Sequence, residues 1–167
     1  LAIASGATIA NSGTATGFGT SAIVIVHMSV SQGFAKNVYE KIDFDTEVFD
    51  TNGEYDTTNK RFTPTTAGYY FVSLRLVKDN GESQKNSMFY GIYKNGALYS
   101  EYQLYGDYPY YTVEVTLPIY NEVVYLNGST DYIEGWFEWG ANGTLELDVY
   151  ANARTTAKTE LMIFKVD

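Results

Sequence analysis

Phe44-Asp-Thr-Glu-Val-Phe-Asp50-Thr-Asn-Gly-Glu-Tyr55-Asp-Thr-Thr-Asn-Lys-Arg-Phe62-Thr-Pro-Thr-Thr-Ala-Gly68-Tyr-Tyr70 is the stretch whose reading decides how this chain folds. Its large aromatic residues Phe44, Phe62 and Tyr70 are anchors that would bury about 150–250 Å² each. Asp50 and Asn52 can hydrogen-bond the backbone of the turn that follows them. Gly68 is placed where a turn feeds a strand, a position suited to a conformation that a Cβ disfavours. Just upstream, Ile42-Asp-Phe44-Asp-Thr46-Glu-Val48 alternates strictly, which predicts a strand with its acids on one face and its apolar groups on the other.

Outward from this stretch the same period continues. Tyr111 to Ile119 and Leu145 to Val149 alternate in the same way. Other runs are apolar on both faces: Ile23 to Val26, Tyr69 to Leu76, Met88 to Tyr93 and Leu161 to Phe164. Strands of that kind are covered on both sides, by a second sheet or by neighbouring subunits. Asn-Gly pairs at Asn52, Asn80, Asn95, Asn127 and Asn142 punctuate the runs. Both residues of such a pair tolerate the positive φ that a type I′ hairpin turn demands. Sixteen Tyr, nine Phe, and many Val, Ile and Thr favour pleated strands, and no stretch is dominated by strong helix formers. The expected fold class is all-β, a sandwich or jelly roll.

The spacing Phe44, Asp50, Tyr55, Phe62, Gly68, Tyr70 resembles the signature of the C1q domain family, the C1q/TNF-like jelly rolls. Two and four residues after Tyr70 the family expects aromatics, and Val72 and Leu74 stand there, still apolar. Asp131 to Glu138 and Lys158 to Val166 look like later strands of the family. The resemblance implies two packed antiparallel sheets of about ten strands, assembled as a homotrimer that caps a fibrous stalk. It covers residues 23–167. Residues 1–22, rich in Ala, Ser, Thr and Gly, form a lead-in or the end of a stalk, with a six-residue echo starting at Ile3 and Ile9. A flexible linker is an equal reading of that segment. The chain begins at Leu1 and is taken as part of a longer protein.

A net charge of −9 disfavours phosphate backbones and anionic lipid, and no segment has the apolar length of a membrane span. With no Cys and one His, conventional nucleophile triads and zinc hydrolase sites lack parts, so the chain is expected not to be an enzyme. His27 reads as a packed, hydrogen-bonded residue of the core or an interface. No cofactor is expected. Calcium is the metal that the acids Asp43, Asp45, Glu47, Asp50, Glu54 and Asp56 could take, although alternation along a strand is also what a solvated face shows. The sequons at Asn127 and Asn142 double as hairpin turns.

Tyr99, Tyr102, Tyr105, Tyr108 and Tyr111 recur every third residue, with Tyr110 beside the last. That period scatters over both faces of a flat strand, so the segment reads as part strand and part loop. These six tyrosines are the candidate ligand-binding residues, because tyrosine gives rigid amphipathic contact area at low entropy cost. The alternative is that they pack in the core or the trimer interface. Two roles follow. One is a recognition or adhesion head on an extracellular, cell-surface or virion appendage, binding a glycan or a protein. The other is a purely structural module that trimerises or decorates a capsid, fibre or spore coat.

Overall fold

The structure, a computed structural model, describes residues 21–78, 85–107, 115–140, 145–147 and 158–166. They form fifteen strand segments and no helix, and ten of the segments are three residues or longer. In chain order these are β1 (Ile23–His27), β2 (Gln32–Phe34), β3 (Glu40–Lys41), β4 (Thr46–Asp50), β5 (Tyr55–Asp56), β6 (Arg61–Phe62), β7 (Ala67–Arg75) and β8 (Val77–Lys78). They continue as β9 (Lys85–Lys94), β10 (Ala97–Asp107), β11 (Val115–Thr116), β12 (Tyr120–Asn127), β13 (Ile133–Trp139), β14 (Leu145–Leu147) and β15 (Glu160–Val166).

Two antiparallel sheets carry the core. The first runs β12-β7-β15-β1-β4, and the second β10-β9-β13-β6-β5 with β3 also on β13. A short ladder, β11-β8-β14-β2, extends one end. Alternation explains the packing. In the first sheet Tyr70, Val72 and Leu74 of β7 face inward, level with Ile163 and Leu161 of β15 and Val24 and Val26 of β1. In the second sheet Met88, Tyr90 and Ile92 of β9 lie beside Trp139, Phe137 and Gly135 of β13. Phe44 and Phe62 fill the space between, with Phe62 edge-on to Tyr70 at 5.3 Å. Each such anchor contributes about 1.5–3 kcal/mol through burial. Gly135 makes the room: a Cβ there would stand 2.9 Å from the ring of Phe44. Along one side the sandwich is tied by two phenols, Tyr90 donating to the Pro118 carbonyl at 2.8 Å and Tyr120 to that of Ser100 at 3.3 Å.

One expectation is corrected. Residues 42–48 are not one strand: the chain leaves β3 after Lys41, crosses between sheets through buried Ile42 and Phe44, and enters β4 at Thr46. The crossover turns Val48 outward, where it is exposed. Gly68, where the turn feeds β7, has a φ of 158°, a backbone conformation that side chains rarely adopt, as its position suggested. Its lack of a side chain also leaves space for the Lys165 stem, 2.8 Å from where a Cβ would sit.

The turn chemistry follows the sequence closely. Asn95 and Gly96 join β9 to β10 with φ of 53° and 79°, the positive pair a type I′ hairpin needs. Asp50 Oδ1 accepts from the N–H groups of Asn52 and Gly53, and its Oδ2 from that of Tyr55 at 2.8 Å. Asn127 Oδ1 accepts from the N–H groups of Ser129, Thr130 and Asp131, so this sequon is engaged as a turn. The pairs at Asn80 and Asn142 lie outside the described residues.

Candidate functional site

The outward face of the first sheet is apolar in successive rows. Tyr125, Tyr69 and Val166 are level, followed by Val123, Phe71, Phe164 and Ile23. Next come Ser73, Met162, Ile25 and Phe49. Exposed Asn121 joins that row beside Ser73, and the last row is polar throughout: Arg75, Glu160, His27 and Thr46. Phe71 and Phe164 stack at 4.9 Å, and Tyr69 meets Tyr125 edge-on at 5.4 Å. Yet Tyr69 is 59% exposed and Phe49 49%. These are the outer sides of β1, β7 and β15, three of the four strands whose sequences are apolar on both faces, and within one chain nothing described covers them. A continuous apolar surface of this kind is uncommon on a monomer.

His27 stands in the polar row, half-buried, and is not part of the core. Within the single chain its Nδ1 is buried without a hydrogen-bond partner. Burial lowers its pKa, reinforced by Lys158 and outweighing the opposing fields of Asp45 and Glu160. Beside it, Arg75 holds the Glu160 carboxylate at 3.2 Å and the Lys158 carbonyl at 2.9 Å.

Of the six candidate tyrosines, three are described. Residues 97–107 are one strand with a bulge between Leu98 and Ser100 at Tyr99, and the rest of the segment read as part strand and part loop lies outside the described residues. Tyr99 is exposed. Tyr102 pairs with Tyr90 on the inner side, ring centroids 5.4 Å apart, and remains 37% exposed. Tyr105 points to the outer side, edge-on to Phe89 at 5.5 Å and 66% exposed. The period of three thus places neighbouring tyrosines on opposite faces. Tyr108, Tyr110 and Tyr111 lie outside the described residues.

Tyr105 joins a cluster that sequence reading did not single out. On the outer face of the second sheet Tyr93 stacks on Trp136 at 4.4 Å, and Tyr39 reaches over Tyr93 and Phe89 at 6.1 and 6.5 Å. The Tyr39 hydroxyl donates to Glu101 Oε2 at 2.6 Å, and Glu138 lies on the same side, level with Phe89. Burial first, then these two carboxylates, raise the Tyr39 pKa far above its ordinary value. The Tyr93 phenol is pushed up for the same reasons. Glu134, buried, accepts from Trp136 Nε1 at 3.1 Å and pairs with Lys41 at 3.0 Å. The available signal was Glu134-Gly-Trp136-Phe-Glu138, acid and indole alternating on one side of a strand.

The acids weighed for calcium do not converge. Asp45 accepts from Ser29, Asp50 and Asp56 cap turns, and Glu54 Oε1 accepts from the Thr65 N–H at 2.7 Å. Among the described residues no three acids or histidines group around a common point. No described helix is long and apolar enough to cross a membrane.

No family model and no curated protein matches the chain. Solved structures do. The globular domain of zebrafish complement 1qA protein aligns with a TM-score of 0.57 at 11% identity, covering 89% of this chain and 98% of that one. Murine APRIL aligns with a TM-score of 0.58 at 11% identity, covering 88% and 100%. PRD1 vertex protein P5 aligns with a TM-score of 0.51 at 12% identity, covering 88% and 96%. At such identities the likeness concerns the fold: a C1q/TNF-like jelly roll.

Proposed function

We propose that this C1q/TNF-like jelly roll is the head domain of a homotrimer that works by recognition or adhesion and not by catalysis. The observation that carries the reading is the apolar outward face of β7, β15 and β1. Its occupant is a second and third copy of the same face. Burying Phe71, Phe164, Tyr69 and Tyr125 there removes apolar area from water at about 25 cal/mol per Å². The Arg75–Glu160 pair and His27 border that surface at one end. The number three comes from the family resemblance, not from the face itself.

Assembly through the first sheet leaves the outer face of the second sheet and the β10 tyrosines for a glycan or protein ligand. The net charge of −9 again argues against nucleic acid. Two of the similar structures, a complement globular domain and a vertex protein, support an extracellular or virion-surface setting. A glycan array and a receptor-binding screen with the Tyr102→Ala, Tyr105→Ala and Tyr108→Ala variants test the reading. Tyr105→Ala is expected to weaken binding most, because Tyr105 is the most exposed of the described tyrosines. No binding anywhere, or binding untouched by all three changes, would overturn a tyrosine-built site. A second reading, a purely structural module, is favoured by the inward packing of Tyr102 on Tyr90.

A further inference from the structure

On the outer face of the second sheet, four rings lie side by side: Tyr39, Phe89, Tyr93 and Trp136. Three carboxylates share that face. Glu134 is neutralised by Lys41, Glu101 accepts from the hydroxyl of Tyr39, and Glu138 stands on the same side, level with Phe89. The described ion pairs use Glu134, Glu160 and Asp131, and none uses Glu101 or Glu138. Two carboxylates on one face without a cationic partner among the described residues, with aromatic π-clouds beside them, create a local negative field that a cation relieves. A neutral sugar would satisfy the rings and leave the two charges unanswered. An anionic partner would be repelled.

We propose that this face binds a basic side chain, lysine or arginine, presented by a protein partner, with its stem over the rings and its charged end between Glu101 and Glu138. The inference rests on the recognition reading and names the ligand chemistry of that surface. Tyr39 is the positioning residue: bonded to Glu101 across 62 positions of sequence, it brings a loop before β3 over β9 and fixes that carboxylate beside the rings. Gln103 steadies the other Glu101 oxygen at 2.8 Å. Exposed Tyr105 extends the rim.

The test uses the assembled chain and follows the two indole N–H resonances by NMR. Trp136 reports the face, and buried Trp139 is the internal control. Acetyl-lysine methylamide and acetyl-arginine methylamide are titrated against sodium chloride of matched ionic strength, with tetramethylammonium chloride as a separate arm. The expected result is a saturable shift of Trp136 alone with the lysine or arginine probe, weakened about tenfold by Glu101→Gln with Glu138→Gln. The single variants lose part of that affinity, and an unmoved Trp139 shows that each variant is folded. A Trp136 response no larger than with salt, or one indifferent to both substitutions, overturns the inference. So does binding of tetramethylammonium alone, which would mark a small-molecule site. Because the readout is a resonance and not receptor capture, the inference can fail while tyrosine-dependent recognition holds, and the reverse.

Discussion

Phe71 and Phe164 stack at 4.9 Å on neighbouring strands, on the side of their sheet that faces away from the core. A pair placed there stabilises the monomer little and an assembly much. Phe71→Glu is therefore expected to leave the far-ultraviolet β spectrum intact and to abolish assembly, because a charge would have to be buried against its symmetry mates. Sedimentation velocity reads this directly. A Phe71→Glu protein that sediments as the wild type would remove this face from the interface.

Gly91 is the tightest backbone approach in the second sheet. A Cβ there would stand 2.1 Å from the Ser100 carbonyl oxygen and 2.6 Å from Glu101 Cα, next to the β10 bulge. Backbone has to move to accept it, so Gly91→Ala is expected to cost about 2–3 kcal/mol in urea unfolding. Gly135→Ala, which meets only the Phe44 ring, is expected to cost less. Equal costs would contradict the reading that backbone at Ser100 and Glu101 yields less readily than the Phe44 ring.

Asp50→Ala removes the acceptor for three N–H groups in the turn from β4 to β5. Hydrogen bonds to a charged acceptor are each worth about 1.5–3 kcal/mol, with partial compensation from water at this half-exposed turn. A loss of about 2 kcal/mol is expected, and Asp50→Asn should recover part of it because its carbonyl oxygen still accepts. Identical stabilities for the Ala and Asn variants would show that the side chain does not hold the turn.

His27 makes stability depend on pH in one direction. Its folded pKa lies below the unfolded value of about 6.5. Above that value the ring is neutral in both states and has no effect. As pH falls below it the unfolded chain takes up the proton first, so stability declines until pH reaches the folded pKa. Thermal melts from pH 8 to pH 5 should show Tm falling below about pH 6.5, with a smaller fall for His27→Gln. The same slope in both proteins would show that His27 does not govern this window.

Much of the fold was legible because its determinants are local. Phe44, Phe62 and Tyr70 are fully buried, Val72 and Leu74 keep the inward positions, and Asn95-Gly96 is the hairpin its composition describes. The doubly apolar runs of β1, β7 and β15 are adjacent strands of one sheet. What failed depends on where the chain crosses between layers. Strict alternation over residues 42–48 continues through a sheet-to-sheet crossing, which period alone does not reveal. The Tyr39–Glu101 bond and the Tyr93–Trp136 stack join residues 62 and 43 positions apart, so only register brings them together.

The central claim is that the exposed face of the first sheet is an assembly surface for copies of this chain. Light scattering coupled to size-exclusion chromatography at micromolar concentration tests it most directly. The account predicts a mass of three times 18.6 kDa. A single species at 18.6 kDa, stable on concentration, would contradict it.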